Sequence, residues 1–467
     1  MTRAVSKAVG AETVAQLIEA LARLQSRRTA PAGESLLLYR LEFELEQSDP
    51  LIWLAAQPHR EKVYWQDRDR ELCTAAVGAA DSLQATKHDE LPDMMRRASS
   101  VLVHAPSGTR YFGGLRFDSG RAESECDPLW ESFPAARLVL PRFEVISDRG
   151  RHYLTCNVFE RELGQAALAE IIESARQLRF EPAIYQPEAL SIAERGDSPE
   201  KVQWQRQINR ALELFAKGKS EKLVLARKTS LLARTLPDPW LLLAKLREQS
   251  DQCFIYGYAP GRGAAFIGAS PERLYRRDHR ELQTEAIAGT RPRGYNAQTD
   301  NVLAAALADS AKERREHEIV VEGILDGLET ICENYSLVES RASLRLQALQ
   351  HLVSRIRGQL RHGVDDLQII TALHPTPAVG GFPAREAVAL LSEFEAFDRG
   401  WYAGPFGWLA KDRAEFAVAI RSALVCERRI DLFAGAGIVP GSEADSEWDE
   451  IEHKLRAFLG LFDLEAR

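Results

Sequence analysis

A chain of 467 residues, 45% hydrophobic and 27% charged, has ample material for one large globular unit or two to three ordinary domains. Its net charge of −8 argues against a general nucleic-acid binder, because the phosphate backbone selects basic surfaces. No apolar run reaches the roughly 18 residues of a membrane span, and six scattered cysteines without a CxxC pair fit reduced buried thiols rather than a zinc site.

The basic MTRAVSK start turns amphipathic at once, which predicts a first surface helix near 11–24, not a secretory signal, and a cytoplasmic protein. Up to residue 180 the apolar runs SLLLYRLEFEL, LIWLAA, VYWQD, SSVLVHA, ARLVLPRFEVI and RHYLTCNVFE predict strands, with a helix near 163–178. No catalytic signature falls in this part. The polar, proline-bearing EPAIYQPEALSIAERGDSPE (181–200) predicts a connector. The chain then divides into an N-terminal half, 1–195, and a second region, 196–467. Ser198-Pro199-Glu200 reads as cap, first-turn proline and first-turn acid of a helix burying Trp204, Ile208, Leu212 and Phe215.

In the second region EKLVLARKTSLL (221–232) is a strand by composition. GAAFIGASPERLYRR and ELQTEAIAGT predict strands joined by a polar turn at Arg276–Arg280. Helices are expected at about 309–333, 343–361 and 384–393, followed by a strand pair in WYAGPFGWLA and AEFAVAIRSALVC. A small-residue turn, AGAGI, then precedes a last helix carrying SEWDEIEHK (446–454). Strands and helices that mix without strict alternation predict an α+β fold rather than a doubly wound parallel sheet.

That last helix places Glu447, Glu450 and Lys454 on one face, with Trp448, Ile451, Leu455 and Phe458 as a core-facing stripe. For a single helix, a solvated salt-bridge face is the ordinary explanation. KERREHEIVVEGI (312–324) repeats the arrangement, with Glu313 and Glu316 one turn apart, and His317 beside them reads as structural. Two helices with paired glutamates suit a hard cation such as Mg²⁺, which prefers one or two carboxylates plus waters and an anionic substrate. Lys222 points with Val224 and Ala226, so it is either an edge lysine or a desolvated group able to act as a base. Glu272 follows a proline in the turn ASPERL. Gly289-Thr290 is either a sharp turn or a holder of an anionic oxygen through N–H groups and a hydroxyl. LHPTPAVGG (373–381) is turn-rich, and His351 and Arg421 are polar groups inside apolar segments. A buried arginine needs an anionic partner, which a bound carboxylate supplies in forked geometry; Tyr402 adds a hydroxyl donor.

Taken together, KLVLAR, GASPERL, TEAIAGTRPRG, KERREHEIVVEGI, LQHLVS, LHPTPAVGG, WYAGPFGW, AIRSAL and AGAGIVPGSEADSEWDEIEHK run in order across residues 200–467. This set resembles the chorismate-utilising enzymes: isochorismate, salicylate, anthranilate and aminodeoxychorismate synthases. The resemblance implies a large sandwich of packed antiparallel sheets covered by helices, with residues 1–195 as the more variable half. It implies Mg²⁺ held by Glu313, Glu316, Glu447 and Glu450, with Lys222 as a water-activating base and Glu272 as an acid. It assigns the carboxylates of chorismate to Arg421, Tyr402 and Lys454 with backbone N–H groups at Gly289 and Gly437, and the ring to Thr290 and His351. Amide-using relatives typically carry glutamine where Lys222 stands. Aminodeoxychorismate synthases carry a nucleophilic lysine where Ala288 stands, and salicylate synthases tend to have threonine where Ala378 stands. Each difference points to isochorismate formation, with salicylate formation second and a non-catalytic chorismate-binding homologue as a reading of another class. Nothing in the sequence demands an amidotransferase subunit, a nucleic acid or a membrane, and the expected state is a monomer or weak homo-oligomer.

Overall fold

The computed structural model describes residues 2–25, 36–118, 120, 126–180, 190–261 and 263–464, without the side chains of 2–9 and 464. Its first part contains helices α1 (Thr2–Leu24), α2 (Pro50–Ala56), α3 (Leu91–His104) and α4 (Gln165–Arg176). The strands among them are β1 (Leu38–Leu45), β2 (Glu61–Gln66), β3 (Leu72–Ala85), β4 (Tyr111–Leu115), β5 (Ala136–Asp148), β6 (Arg151–Phe159) and β7 (Leu190–Ser198). Helix α5 (Lys201–Ala216) leads into β8 (Lys222–Ala233) and α6 (Pro239–Glu248). Then come β9 (Phe254–Pro260), β10 (Ala264–Ser270), β11 (Arg273–Asp278) and β12 (Glu281–Pro292). Helices α7 (Ala297–Asp309) and α8 (Ala311–Ile331) precede the hairpin of β13 (Cys332–Arg345) and β14 (Leu349–Leu360). Next are α9 (Asp366–Leu373), β15 (Gly381–Phe382), α10 (Ala384–Phe394) and β16 (Pro405–Leu409). The last elements are β17 (Arg413–Val418), β18 (Ser422–Cys426), β19 (Arg429–Ile438), α11 (Ala444–Leu459) and β20 (Phe462–Leu464).

Strand β5 joins two antiparallel runs: it pairs β3 along its length, β4 with its first residues and β6 with its last. From β3 one run continues β2–β9–β10–β18–β19–β8–β7. From β4 the other continues β16–β17–β11–β12–β14–β13. The runs meet across an aromatic interior. Trp65 on β2 stacks 6.3 Å from Phe406 on β16, Tyr256 on β9 lies 5.0 Å from the same ring, and Tyr258 stacks 5.6 Å from Trp401. Rings of this kind bury roughly 150–250 Å² each, worth several kcal/mol at ~25 cal/mol/Å². Helices α8 and α11 lie on β12 and β19, the strands that also form the site described below.

Several local expectations are corrected. LIWLAA is helix α2, because Asp49 accepts from the amides of Leu51 and Ile52 and Pro50 fills the first turn. SSVLVHA is the end of α3, whose buried Met94, Met95, Ala98, Val101 and Leu102 recur at helical spacing. Residues 343–361, expected as a helix, lie in the β13–β14 hairpin. Strand β14 is buried from Leu349 to Ser354 between two neighbours, so its apolar run has no period to separate strand from helix. AGAGI is the end of strand β19, with Gly437 opposite Val224 on β8. Of the expected connector, 181–189 lie outside the described residues and 190–198 are strand β7, so the division at 195/196 falls inside a strand. Glu200, not Ser198, precedes the first turn of α5, and Gln203 reaches back to its amide at 3.4 Å. The polar turn between β11 and β12 narrows to His279 and Arg280.

Candidate active site

The ends of β8, β12 and β19, with α8 and α11, border a pocket of about 650 Å³ that opens to solvent. Its lining includes Glu272, Gly289, Thr290, Glu316, His351, Ala378, Tyr402, Arg421, Gly437, Glu450 and Lys454, all singled out from the sequence. Lys222, Glu313 and Glu447 do not line it; Lys222 and Glu313 lie against the lining residues Glu316 and Gly289. Two glycines shape it. Gly289 adopts a left-handed conformation (φ +80°) at a bulge between Ala288 and Thr290, and a Cβ there would press within 3.2 Å of Glu313. At Gly437 a Cβ would overlap Glu316 Oε1 and come within 3.0 Å of Lys222 Cε. Gly437→Ala is therefore expected to displace the Glu316–Lys222 pair and abolish turnover with a near-native melting temperature; wild-type turnover would refute this role for the concave strand.

Lys222 is no edge lysine. Strands β15 and β19 flank the start of β8, and its side chain is 0% exposed. Nζ lies 3.0 Å from Glu316 Oε1, an ion pair without an aligned hydrogen bond. Glu272, 2% exposed, sits in the turn between β10 and β11, where its Oε1 accepts from Thr376 Oγ1 at 3.4 Å. Burial, then the negative charge of Glu285, push its carboxyl up to about 8 against the opposing pull of Lys222, Thr376 and Lys454. A carboxyl so placed keeps its proton at neutral pH and serves as a donor.

Arg421 occupies a left-handed backbone position (φ +49°) between β17 and β18. It donates to His351 Nε2 at 2.8 Å, and His351 Nδ1 lies 3.2 Å from both the Gly289 carbonyl and Thr290 Oγ1. Burial, then the charges of Arg421 and Lys454, hold the imidazole pKa well below its usual value. The pattern assigns a neutral ring with its proton on Nδ1 and Nε2 accepting. Arg421 thus meets a neutral acceptor where a carboxylate was expected, and its charge acts on whatever enters the cavity. Lys454 donates to the Gly435 carbonyl at 2.8 Å and pairs with Glu450 at 2.7 Å. Tyr402 stacks on Phe433 at 5.3 Å.

The four glutamates do not form a solvated face: Glu313 and Glu447 are each 1% exposed. Each faces a cation. Arg291 meets Glu313 at 2.9 Å, Lys222 meets Glu316 at 3.0 Å, Lys312 meets Glu447 at 2.6 Å and Lys454 meets Glu450 at 2.7 Å. Burial and then Glu450 push Glu447 up to about 7, and burial and then Glu316 raise Glu313. Burial also raises Glu316, but the charges of Lys222, Lys312 and Lys454 outweigh it and leave the net shift downward. Among the described residues no three acidic, histidine or cysteine side chains converge on one point as a metal site. The donor chemistry still fits Mg²⁺: carboxylates on two helices raise one another's proton affinity and are held by cations that a metal can replace.

Sequence reasoning missed Arg399. It donates to the carbonyls of Val379 at 2.8 Å and Val224 at 2.7 Å and grips Glu395 with two further bonds. It thereby ties the Ala378 loop to the strand of Lys222. Nothing periodic marks it in EAFDRGWY; only the bulk of buried carbonyls around it reveals the role. Thr376 was also missed, although its hydroxyl between Pro375 and Pro377 was a local signal.

Residues 24–463 match the family of chorismate binding enzymes. The salicylate biosynthesis isochorismate synthase of Pseudomonas aeruginosa is 35% identical over 440 residues, 92% of this chain and 90% of its own. Isochorismate synthase MenF of Haemophilus influenzae is 32% identical over 448 residues, 96% and 97% of the two chains. The solved structure of MenF, the menaquinone-specific isochorismate synthase from Escherichia coli, matches with TM-score 0.81 at 29% identity, covering 96% of this chain and all of that one. The expected sandwich of antiparallel sheets and helices is thus the fold observed. This chain belongs to the chorismate binding enzyme family, and the isochorismate synthases it is similar to match it over nearly its whole length.

Proposed function

We propose that this chain is an isochorismate synthase, moving the hydroxyl of chorismate from C4 to C2 with Lys222 as base and Glu272 as acid. The supporting observation is a single cavity that gathers a carboxyl held near pKa 8, two cations at Arg421 and Lys454, and a buried lysine behind its wall. Water attacks C2 as Lys222, acting in its neutral form, takes its proton; the ring double bond shifts, and the C4 hydroxyl leaves as water with the proton of Glu272. One hydroxyl enters and one departs, so the net change is an isomerisation. Arg421 and Lys454 take the substrate carboxylates, with the Tyr402 hydroxyl and the backbone at Gly289 and Gly437 beside them, while Thr290 and His351 border the ring. Glu313, Glu316, Glu447 and Glu450 would hold Mg²⁺, directly or through water. Bound there, the metal offsets the negative charge of a substrate carboxylate. The reaction needs no amidotransferase subunit and is assigned to the cytoplasm, in a monomer or weak homo-oligomer.

Incubation with chorismate and Mg²⁺, followed by chromatography and mass analysis, tests this. Isochorismate of unchanged mass is expected. Salicylate with equimolar pyruvate would identify the second activity instead, and unchanged chorismate a non-catalytic homologue. Ala378 borders the cavity, so its small methyl leaves the substrate in a pose that favours water addition and release. Ala378→Thr is expected to raise pyruvate formed per chorismate consumed. A change of about 1 kcal/mol between competing barriers alters their ratio roughly fivefold. Background pyruvate with normal isochorismate would remove position 378 as a discriminator.

A further inference from the structure

The turn that carries Glu272 is held from outside the region that carries the family motifs. Arg68, just after β2 in the N-terminal half, donates to the Pro271 carbonyl at 2.8 Å. It also forks onto Glu285 of β12, at 2.7 and 2.9 Å to the two carboxylate oxygens. Glu285 in turn accepts the Arg273 amide at 2.8 Å. The residues on either side of Glu272 are therefore gripped by the two partners of one ion pair. The same turn is closed by Ser270 Oγ on the Glu272 amide at 3.2 Å and by the Val418 amide on the Glu272 carbonyl at 3.1 Å. Arg68 lies with its guanidinium 5.1 Å from the Phe254 ring centroid, and the side chains of Arg68 and Glu285 are 11% and 2% exposed. Neither lines the cavity. A forked, nearly dry pair fixes backbone more narrowly than a point charge.

We propose that Arg68 and Glu285 are positioning residues that clamp the turn of the acid Glu272, so that the N-terminal half holds the acid in place. The inference rests on the acid role given to Glu272 above. The charged and titratable groups around that carboxyl are Glu285 on β12, Lys222 on β8, Lys454 on α11, Arg421 after β17 and Tyr402 before β16. Of these, Glu285 is the anion that favours the protonated form. Glu285→Gln retains an acceptor but removes the charge, so the alkaline limb of kcat/KM should move about one pH unit lower. Arg68→Met frees the turn and should lower kcat on the order of tenfold or more with KM for chorismate unchanged.

Both variants are measured for kcat, KM and pH profile. The protonated Glu272 carboxyl is followed in parallel by its infrared C=O band, assigned by loss in Glu272→Gln. If wild-type protein does not isomerise chorismate, the functional reading falls, while the infrared titration still reports the clamp. A Glu272 band that titrates at lower pH in Glu285→Gln supports the clamp, even if Arg68→Met fails to fold. Wild-type titration and pH profile in Glu285→Gln, or an Arg68→Met defect confined to KM, would overturn it.

Discussion

Glu272→Gln is expected to lower turnover by about a hundredfold or more, the range for removal of an acid–base group, and to leave the protein at least as stable as the parent near neutral pH. The two halves of this expectation share one cause. Burial and Glu285 lift the folded-state carboxyl from 4.5 to about 8. Between those values the native protein holds a proton that the unfolded chain releases, so stability falls as pH rises across the window and levels off above it. Glutamine cannot ionise, so this slope disappears along with the proton donor. A purely structural glutamate would behave in the opposite way, losing stability and keeping chemistry in any molecule that still folds. In the wild type the same group sets an alkaline limb: the donor is present below about pH 8 and lost above it. Lys222→Ala removes the base and should cost a comparable factor, equivalent to about 2.7 kcal/mol of barrier. Turnover within a few-fold of wild type in either variant, measured with folded protein by circular dichroism, would dismiss the acid–base assignment.

Much of this site was legible because its chemistry is written in short, contiguous stretches. Glu313 and Glu316, or Glu447 and Glu450, share a helix face by spacing alone, and the burial of Glu313 and Glu447 follows from the apolar residues interleaved with them. Tertiary pairing was not legible. The run around His351 is equally apolar as helix or strand, and only its place between β12 and β13 decides. AGAGI looks like a turn because small residues tolerate turns; here their smallness hollows a strand so that Glu316 and Lys222 can approach Gly437. Helix α2 shows the reverse case: Asp49 and Pro50 form a helix start directly before the β-prone Ile52 and Trp53, and the cap prevails. Arg68 and Arg399 act through carbonyls supplied by distant segments, and no local pattern records such a partner.

Glu447→Gln and Glu313→Gln should each weaken Mg²⁺ binding at least tenfold to a hundredfold, seen in the metal response of both activity and melting temperature. Every acid of the set faces a lysine or arginine: Lys312 on Glu447, Arg291 on Glu313, Lys222 on Glu316 and Lys454 on Glu450. Mg²⁺ must therefore compete with these cations, and affinity depends on the charge the carboxylates retain. Replacing one carboxylate by an amide removes a full negative charge and a hard oxygen donor, while the displaced cation remains to repel the metal. Even outer-shell partners of a metal site cost ten- to a hundredfold when removed, so a member of the set costs no less. Stability reads the same equilibrium without catalysis. A ligand at a hundred times its Kd stabilises the native state by about 2.7 kcal/mol, so wild type should melt higher with Mg²⁺ and lose the gain on chelation. In the glutamine variants that gain should require correspondingly more metal. Identical Mg²⁺ titrations of melting temperature in wild type and both variants would show that the metal, if it binds, binds elsewhere.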